Sequence, residues 1–231
     1  MLPFAVILPA AGQSARFGAT NKLLAPLRGE PVIIHSLRAF LSRSDVPLIV
    51  VPTHLDAEIS EVALTDVKAA ISTGRILFCR GGPSRAESVL EALRHLPREI
   101  EWVAVHDAAR PLLSQGLIDR TLSLAHKHGA AVPALPVTLT IKAASGPLPA
   151  LVTKTIPRDT LFAIETPQVM RHADLVAAYA KCPIPLESVT DDVQLLELAG
   201  METWLAAGED RNIKITTAMD LRLAELFDER Q

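Results

Sequence analysis

The chain is poor in cysteine. Cys79 and Cys182 stand far apart in 231 residues, and neither has a second ligand nearby. That spacing excludes a disulfide framework and a structural zinc site, and reduced thiols in a cytoplasmic protein are expected. Charge of one sign is scarce too. Lys and Arg total 23 against 26 Asp and Glu, for a net charge of −3, and no long basic run occurs. A nucleic-acid-binding surface is therefore not indicated, although a local group of Arg and Lys can still line an anion pocket. No apolar run approaches the roughly 20 residues needed to cross a bilayer, so no membrane association is expected. The apolar N-terminal segment has no basic flank and ends in a small-residue loop, which reads as a buried strand rather than a leader. The two commonest nucleotide motifs are missing. Gly-x4-Gly-Lys-Ser/Thr is absent, and only Gly12 and Gly18 stand where a dinucleotide fingerprint needs three glycines. Hydride transfer is thus disfavoured. Internal repeats and low-complexity segments are also lacking.

What is present is a regular alternation. Strand-like runs fall at Phe4–Pro9, Pro47–Pro52, Arg75–Cys79, Trp102–His106 and Ala130–Leu135. Helical patterns fall between them, near Val32–Leu41, Ala57–Ala70, Arg85–Leu96 and Leu117–His128. Continuous apolar strands separated by amphipathic helices predict an α/β fold with a mostly parallel sheet covered on both faces. Ser84-Arg-Ala-Glu87 reads as a capping box opening the third helix. The alternation breaks after Pro136. Val137–Ile141 and Leu151–Ile156 bracket Ala144-Ser-Gly-Pro147, which predicts a β-hairpin arm over residues 137–158. An isolated hairpin is marginal in water, so a second subunit is its expected support. The pattern then resumes with a strand near Phe162–Glu165, helices near Ala173–Ala180 and Asp191–Leu198, and strands at Glu202–Ala206 and Asn212–Ile215. A closing helix starts at about Ala218.

Ligands of open parallel sheets bind where loops converge at the carboxyl ends of the strands. Sorted by that rule, the rim gathers Arg16, Lys22, Arg85, Arg110 and Lys214 around one acid, Asp107. Small residues after the first strand, Ala10-Ala11-Gly12, let backbone approach a base and phosphates and offer N–H groups to an anion. Several cations with one carboxylate point to a polyphosphate with Mg²⁺, Asp107 being the metal ligand. His106 reads as structural, and Asp191 as a helix cap.

Several motifs, in order and over nearly the whole chain, carry a resemblance. They are Pro9-Ala-Ala-Gly12 with Arg16 and Lys22, Gly81-Gly-x-x-Arg85-x-x-Ser88-Val, Val105-His-Asp-Ala-Ala-Arg-Pro111, Thr166-Pro-Gln168, Thr190-Asp191 and Asn212-Ile-Lys-Ile-Thr216. Together they resemble the 2-C-methyl-D-erythritol 4-phosphate cytidylyltransferases of the non-mevalonate isoprenoid pathway. The resemblance implies one nucleotidyltransferase domain over residues 1–231, with a Rossmann-like sheet and a dimerising arm. It also implies attack by the 4-phosphate of methylerythritol phosphate on the α-phosphorus of CTP, with loss of pyrophosphate. By the same resemblance Arg16, Lys22 and Lys214 would be catalytic. Ala10, Ala11, Gly12, Gly82, Arg85 and Ser88 would hold the nucleotide. Asp107, Arg110 and Thr166 would hold the sugar phosphate, and Thr140 and Arg158 would reach that pocket from the second subunit of a homodimer. Pro83 stands after Gly82, where its missing N–H removes one backbone contact. The nearest rival is a ribitol 5-phosphate cytidylyltransferase, whose relatives tend to carry Asp-Ser-Val-Arg-Pro in place of Asp107-Ala-Ala-Arg-Pro111. A non-catalytic nucleotide-binding protein would be expected to lack one of Arg16, Lys22, Asp107 and Lys214, and all four are present.

Overall fold

The computed structural model describes residues 2–12, 17 and 21–228. In chain order the elements are β1 Phe4–Ile7, β2 Pro26–Leu27, β3 Glu30–Pro31, α1 Val32–Leu41, β4 Ile49–Thr53, α2 Asp56–Val62, α3 Thr65–Ser72, β5 Ile76–Arg80, α4 Arg85–Leu93 and β6 Trp102–Val105. There follow α5 Gln115–His128, β7 Ala130–Pro136, β8 Ile141–Ala144, β9 Val152–Ile156, β10 Phe162–Ile164, β11 Gln168–Arg171, α6 His172–Ala180, α7 Asp192–Leu198, β12 Trp204–Ala207 and α8 Ala218–Asp228. The main sheet runs β12, β7, then β10 and β11 along one flank of β7, then β6, β1, β4 and β5. Pairs β6–β1, β1–β4, β4–β5 and β7–β12 are parallel, while β10 and β11 run antiparallel to their neighbours.

The alternation of β1 shows why this sheet is covered on both faces. Phe4, Val6 and Leu8 join one core with residues of α1, α3 and α5, whereas Ala5 and Ile7 join the other with residues of α4, α6 and α7. All five are fully buried. Helix starts follow local chemistry. Ser84 and Glu87 form the capping box of α4, Ser114 caps α5 through the N–H of Leu117, and Asp191 caps α7 through that of Gln194.

Several elements differ from the sequence expectation, among them the unforeseen short strands β2 and β3. The single helix over Ala57–Ala70 is two, α2 and α3, broken by extended backbone at Ala63. Ile59, Ala63, Val67 and Ala70 are all buried across the break, so the apolar period runs through it unchanged. The first arm strand lies at Ile141–Ala144 rather than Val137–Ile141, because the Val137 N–H bonds to Leu161 O at the arm's base. Asn212–Ile215 is no ladder strand. Its Ile215 N–H goes instead to Ala109 O in a neighbouring loop. Strand β11 has no counterpart in the sequence pattern, and it is the antiparallel strand that joins β6 to β7.

Candidate active site

The loops after β1, β4, β5 and β6 open on a cavity of about 320 Å³. Ala10, Ala11, Gly12, Lys22, Gly82, Arg85, Ser88, Asp107 and Lys214 line it. The sequence-predicted nucleotide and phosphate residues thus converge. Arg16 lies outside the described residues. Arg110 and Thr166 do not line this cavity, but hydrogen bonds tie them to its loops. Thr140 and Arg158 are exposed on and beside the arm and do not line the cavity within one chain. The Arg158 guanidinium donates instead to Thr138 O.

Two glycines make the loop geometry possible. A Cβ on Gly81 would lie 2.2 Å from the Ala11 Cβ, and one on Gly82 would lie 2.5 Å from the Glu87 Cβ. The loop after β5 can therefore press against the loop after β1 and the first turn of α4 only without side chains. Ser88 fixes the same loop. Its hydroxyl accepts from the Gly82 N–H at 3.0 Å and donates to Ser84 O at 2.8 Å. Ser88 thus shapes the cavity by holding its lining loop.

The charged residues form one line. Lys214 Nζ lies 2.7 Å from Asp107 Oδ2, Arg85 Nε lies 3.0 Å from Asp107 Oδ1, and Arg85 Nη1 lies 2.8 Å from Asp192 Oδ2. Burial pushes the Asp107 carboxyl up, but Arg85, Lys214 and Arg110 outweigh it and hold the group below the usual carboxylate range. Burial likewise opposes charge on Arg85, and Asp192 and Asp107 more than restore it. Asp192 shows the opposite balance: its burial outweighs Arg85 and raises its carboxyl. Asp107 is therefore a fixed anion in a ring of cations. Arg85, read from sequence as a nucleotide ligand, has a guanidinium already bonded to two carboxylates.

His106 organises the adjoining turn. Its Nε2 donates to Arg110 O at 3.0 Å, and its Nδ1 accepts from the Thr166 hydroxyl at 2.9 Å. That hydroxyl in turn accepts from the Asp107 N–H at 3.2 Å. Only one tautomer satisfies all three bonds. The ring is fully buried, and that burial holds its pKa down at about 4. His106 is a structural residue, as its sequence context suggests.

Three site residues escape the sequence reading. His54, directly after β4, lines the cavity, and the strand-end rule applied to β4 would find it. Asp192 reads from sequence only as a neighbour of the Asp191 cap, and no local signal announces its pairing with a residue more than a hundred positions away. Glu165, buried beside the Thr166 corner, follows a strand end but carries no motif. A larger groove of about 1040 Å³ lies between α4 and α6, lined by Leu93, Leu96 and Val176 among others. It sits toward Glu101 and Arg171, away from the carboxyl ends of the parallel strands, and gathers no comparable line of charge among the described residues.

A parallel-strand rim with a small-residue loop, several cations and a carboxylate set among them is the arrangement a nucleotidyltransferase requires. The particular family follows from comparison. The family model for 2-C-methyl-D-erythritol 4-phosphate cytidylyltransferase matches residues 4–230, and the chain belongs to that family. A relative of that name from Symbiobacterium thermophilum is 38% identical over 231 residues, covering 100% of this chain and 94% of the relative. A bifunctional enzyme IspD/IspF from Desulfotalea psychrophila is 38% identical over 227 residues; the match covers 96% of this chain and 56% of that protein, so the chain spans just over half of it. The crystal structure of the cytidylyltransferase from Thermus thermophilus superposes with a TM-score of 0.77 at 32% identity, covering 98% of both chains.

Proposed function

We propose that this chain transfers the cytidylyl group of CTP to 2-C-methyl-D-erythritol 4-phosphate, releasing pyrophosphate. The observation that carries this reading is the Lys214–Asp107–Arg85 line facing a small-residue loop in the cavity of a family member. The nucleophile is a phosphate oxygen that is already anionic, so no side chain has to remove a proton. The protein's task is to align two polyanions and neutralise the charge that builds up between them. Lys22 and Lys214, with Arg16, would meet the triphosphate; Lys214 leaves Asp107 to do so. Ala10, Ala11 and Gly12, with Gly82, would receive the nucleoside through backbone groups. Arg110 and Thr166 would anchor the sugar phosphate behind Asp107.

Asp107 fits a Mg²⁺ shared with phosphate. Among the described residues no group of three His, Cys, Asp or Glu converges, and Asp107 supplies one carboxylate with both oxygens facing cations. Mg²⁺ is commonly held by one or two carboxylates plus phosphate oxygens and water, so Asp107 would be its protein ligand once Lys214 leaves Oδ2 for the triphosphate. When bound, the ion would supply charge neutralisation on the triphosphate.

A homodimer built through the arm completes the proposal, with cytoplasmic location. The arm forms a two-stranded sheet of its own, and Leu139, Leu148, Leu151 and Val152 on it are all exposed. Uncovered apolar side chains of this number favour a partner, and Thr140 and Arg158 lie on and beside the same arm. The test is selectivity. With CTP and Mg²⁺, kcat/KM for methylerythritol 4-phosphate should exceed that for ribitol 5-phosphate by at least ~100-fold, since a site that hydrogen-bonds one acceptor rejects another strongly. Equal or reversed selectivity would assign the chain to the ribitol reaction.

A further inference from the structure

Three separate stretches of chain meet at one residue. Asn212 is fully buried. Its Nδ2 donates to Thr166 O at 2.9 Å and to Glu165 Oε2 at 3.3 Å. Both partners are acceptors, so the amide can take only this orientation. Its backbone carbonyl accepts from Arg110 Nη1 at 2.6 Å. The residues after it continue the tie. Lys214 reaches Asp107, and the Ile215 N–H donates to Ala109 O at 2.8 Å. Segment 212–215 therefore lies along loop 107–110, joined at three points, and the Asn212 side chain adds the corner at 165–166.

We infer that Asn212 is a positioning residue that registers the Lys214 segment against both the Asp107–Arg110 loop and the Thr166 corner. The inference rests on the roles proposed above for those four side chains. A substrate phosphate held by Arg110 and Thr166 can meet a nucleotide phosphate held by Lys214 only if the distance between the two groups is fixed. Asn212 links them: its side chain holds the Thr166 corner and its backbone carbonyl accepts from Arg110, two residues before Lys214. The neighbourhood shows how little slack there is. A Cβ on Gly208 would lie 2.8 Å from Glu165 Oε2, and the Glu209 N–H donates to that same oxygen at 3.2 Å. Glu165 Oε2 thus accepts from both the Glu209 N–H and the Asn212 amide, with Gly208 packed close beside it. The cytidine end of the cavity, built on β1, β5 and α4, makes none of these contacts.

The discriminating variant is Asn212→Asp, which keeps the shape but sets a carboxylate against two acceptors. Asn212→Ala removes the donors without adding charge and carries the same prediction if the Asp variant does not fold. Hydrogen exchange of the Ile215 and Asp107 amides should quicken by about tenfold or more, while that of Val103 and Ala104 in β6 stays within about twofold. Turnover should show KM for methylerythritol 4-phosphate raised about tenfold, with the affinity for CTP, read by calorimetry, changed less than about threefold. Unchanged exchange at Ile215 and Asp107, or acceleration spread evenly over the sheet, would overturn the inference. So would equal losses for both substrates. The exchange measurement needs no substrate. A wild-type protein inert toward methylerythritol 4-phosphate would therefore overturn the functional proposal, and exchange would still decide the role of Asn212.

Discussion

Asp107 and His106 are adjacent, and the contest between burial and charge ends differently for each. Asp107 stays ionised because cations surround it, whereas His106 stays neutral because its burial outweighs the pull of the neighbouring carboxylate. The consequence for His106 can be measured. An ordinary histidine titrates near 6.5, and the buried ring titrates at about 4. Between those values the unfolded chain binds one more proton than the folded chain. Stability therefore rises with pH across that window and falls on acidification, by about 2–3 kcal/mol between pH 7 and 4.5 from this group alone. Urea unfolding at the two pH values should show a smaller drop for His106→Gln than for wild type; identical drops would place the titration elsewhere. Lys214 carries the second residue-scale prediction. Lys214→Ala should lower kcat by about 100-fold or more with a circular dichroism spectrum like that of wild type, as expected for a group that meets charge in the transition state. Turnover within about threefold of wild type would remove Lys214 from the chemistry.

At the scale of elements, the sequence is legible where chemistry repeats locally. The continuous apolar strands announce the parallel half of the sheet, and strand-end sorting alone brings Ala10, Gly82 and Asp107 to one rim; Lys214 joins them from a segment that is not the strand expected there. The capping box of α4 is readable because four residues contain the whole device. Ser84→Ala should cost about 1 kcal/mol, the usual worth of an N-cap, seen as a lower unfolding midpoint. No change in that midpoint would mean the box is not holding the loop. What stays hidden depends on distant partners. The short run Gln168–Arg171 becomes a strand because β6 and β7 offer it two edges. Asn212–Ile215 does not, because a loop claims its Ile215 N–H. The Arg85–Asp192 pair and the Asn212 junction likewise join positions with no sequence proximity. Arg158 belongs here too, since its role depends on the arm: Arg158→Ala should raise KM for the sugar phosphate more than KM for CTP, and equal effects would argue against that pocket.

For the whole molecule, the proposed reaction implies a division of labour. One side of the sheet's carboxyl rim would receive a nucleoside through small residues, and the other would hold an acceptor phosphate beside Asp107. The arm exposes apolar side chains in a single chain, and the proposed homodimer would cover them. Light scattering should therefore give twice the 24.9 kDa chain mass. Deleting residues 141–156 should give a monomer of low activity. A fully active monomer would show that the arm supplies nothing to the site. The most direct test of the division of labour is ³¹P NMR of a reaction containing CTP, Mg²⁺, methylerythritol 4-phosphate and the intact protein. Our account predicts one pyrophosphate for each new diphosphate-linked cytidyl methylerythritol, with both signals absent when the acceptor is left out. Pyrophosphate with free CMP, or no change in the CTP signals, would contradict it.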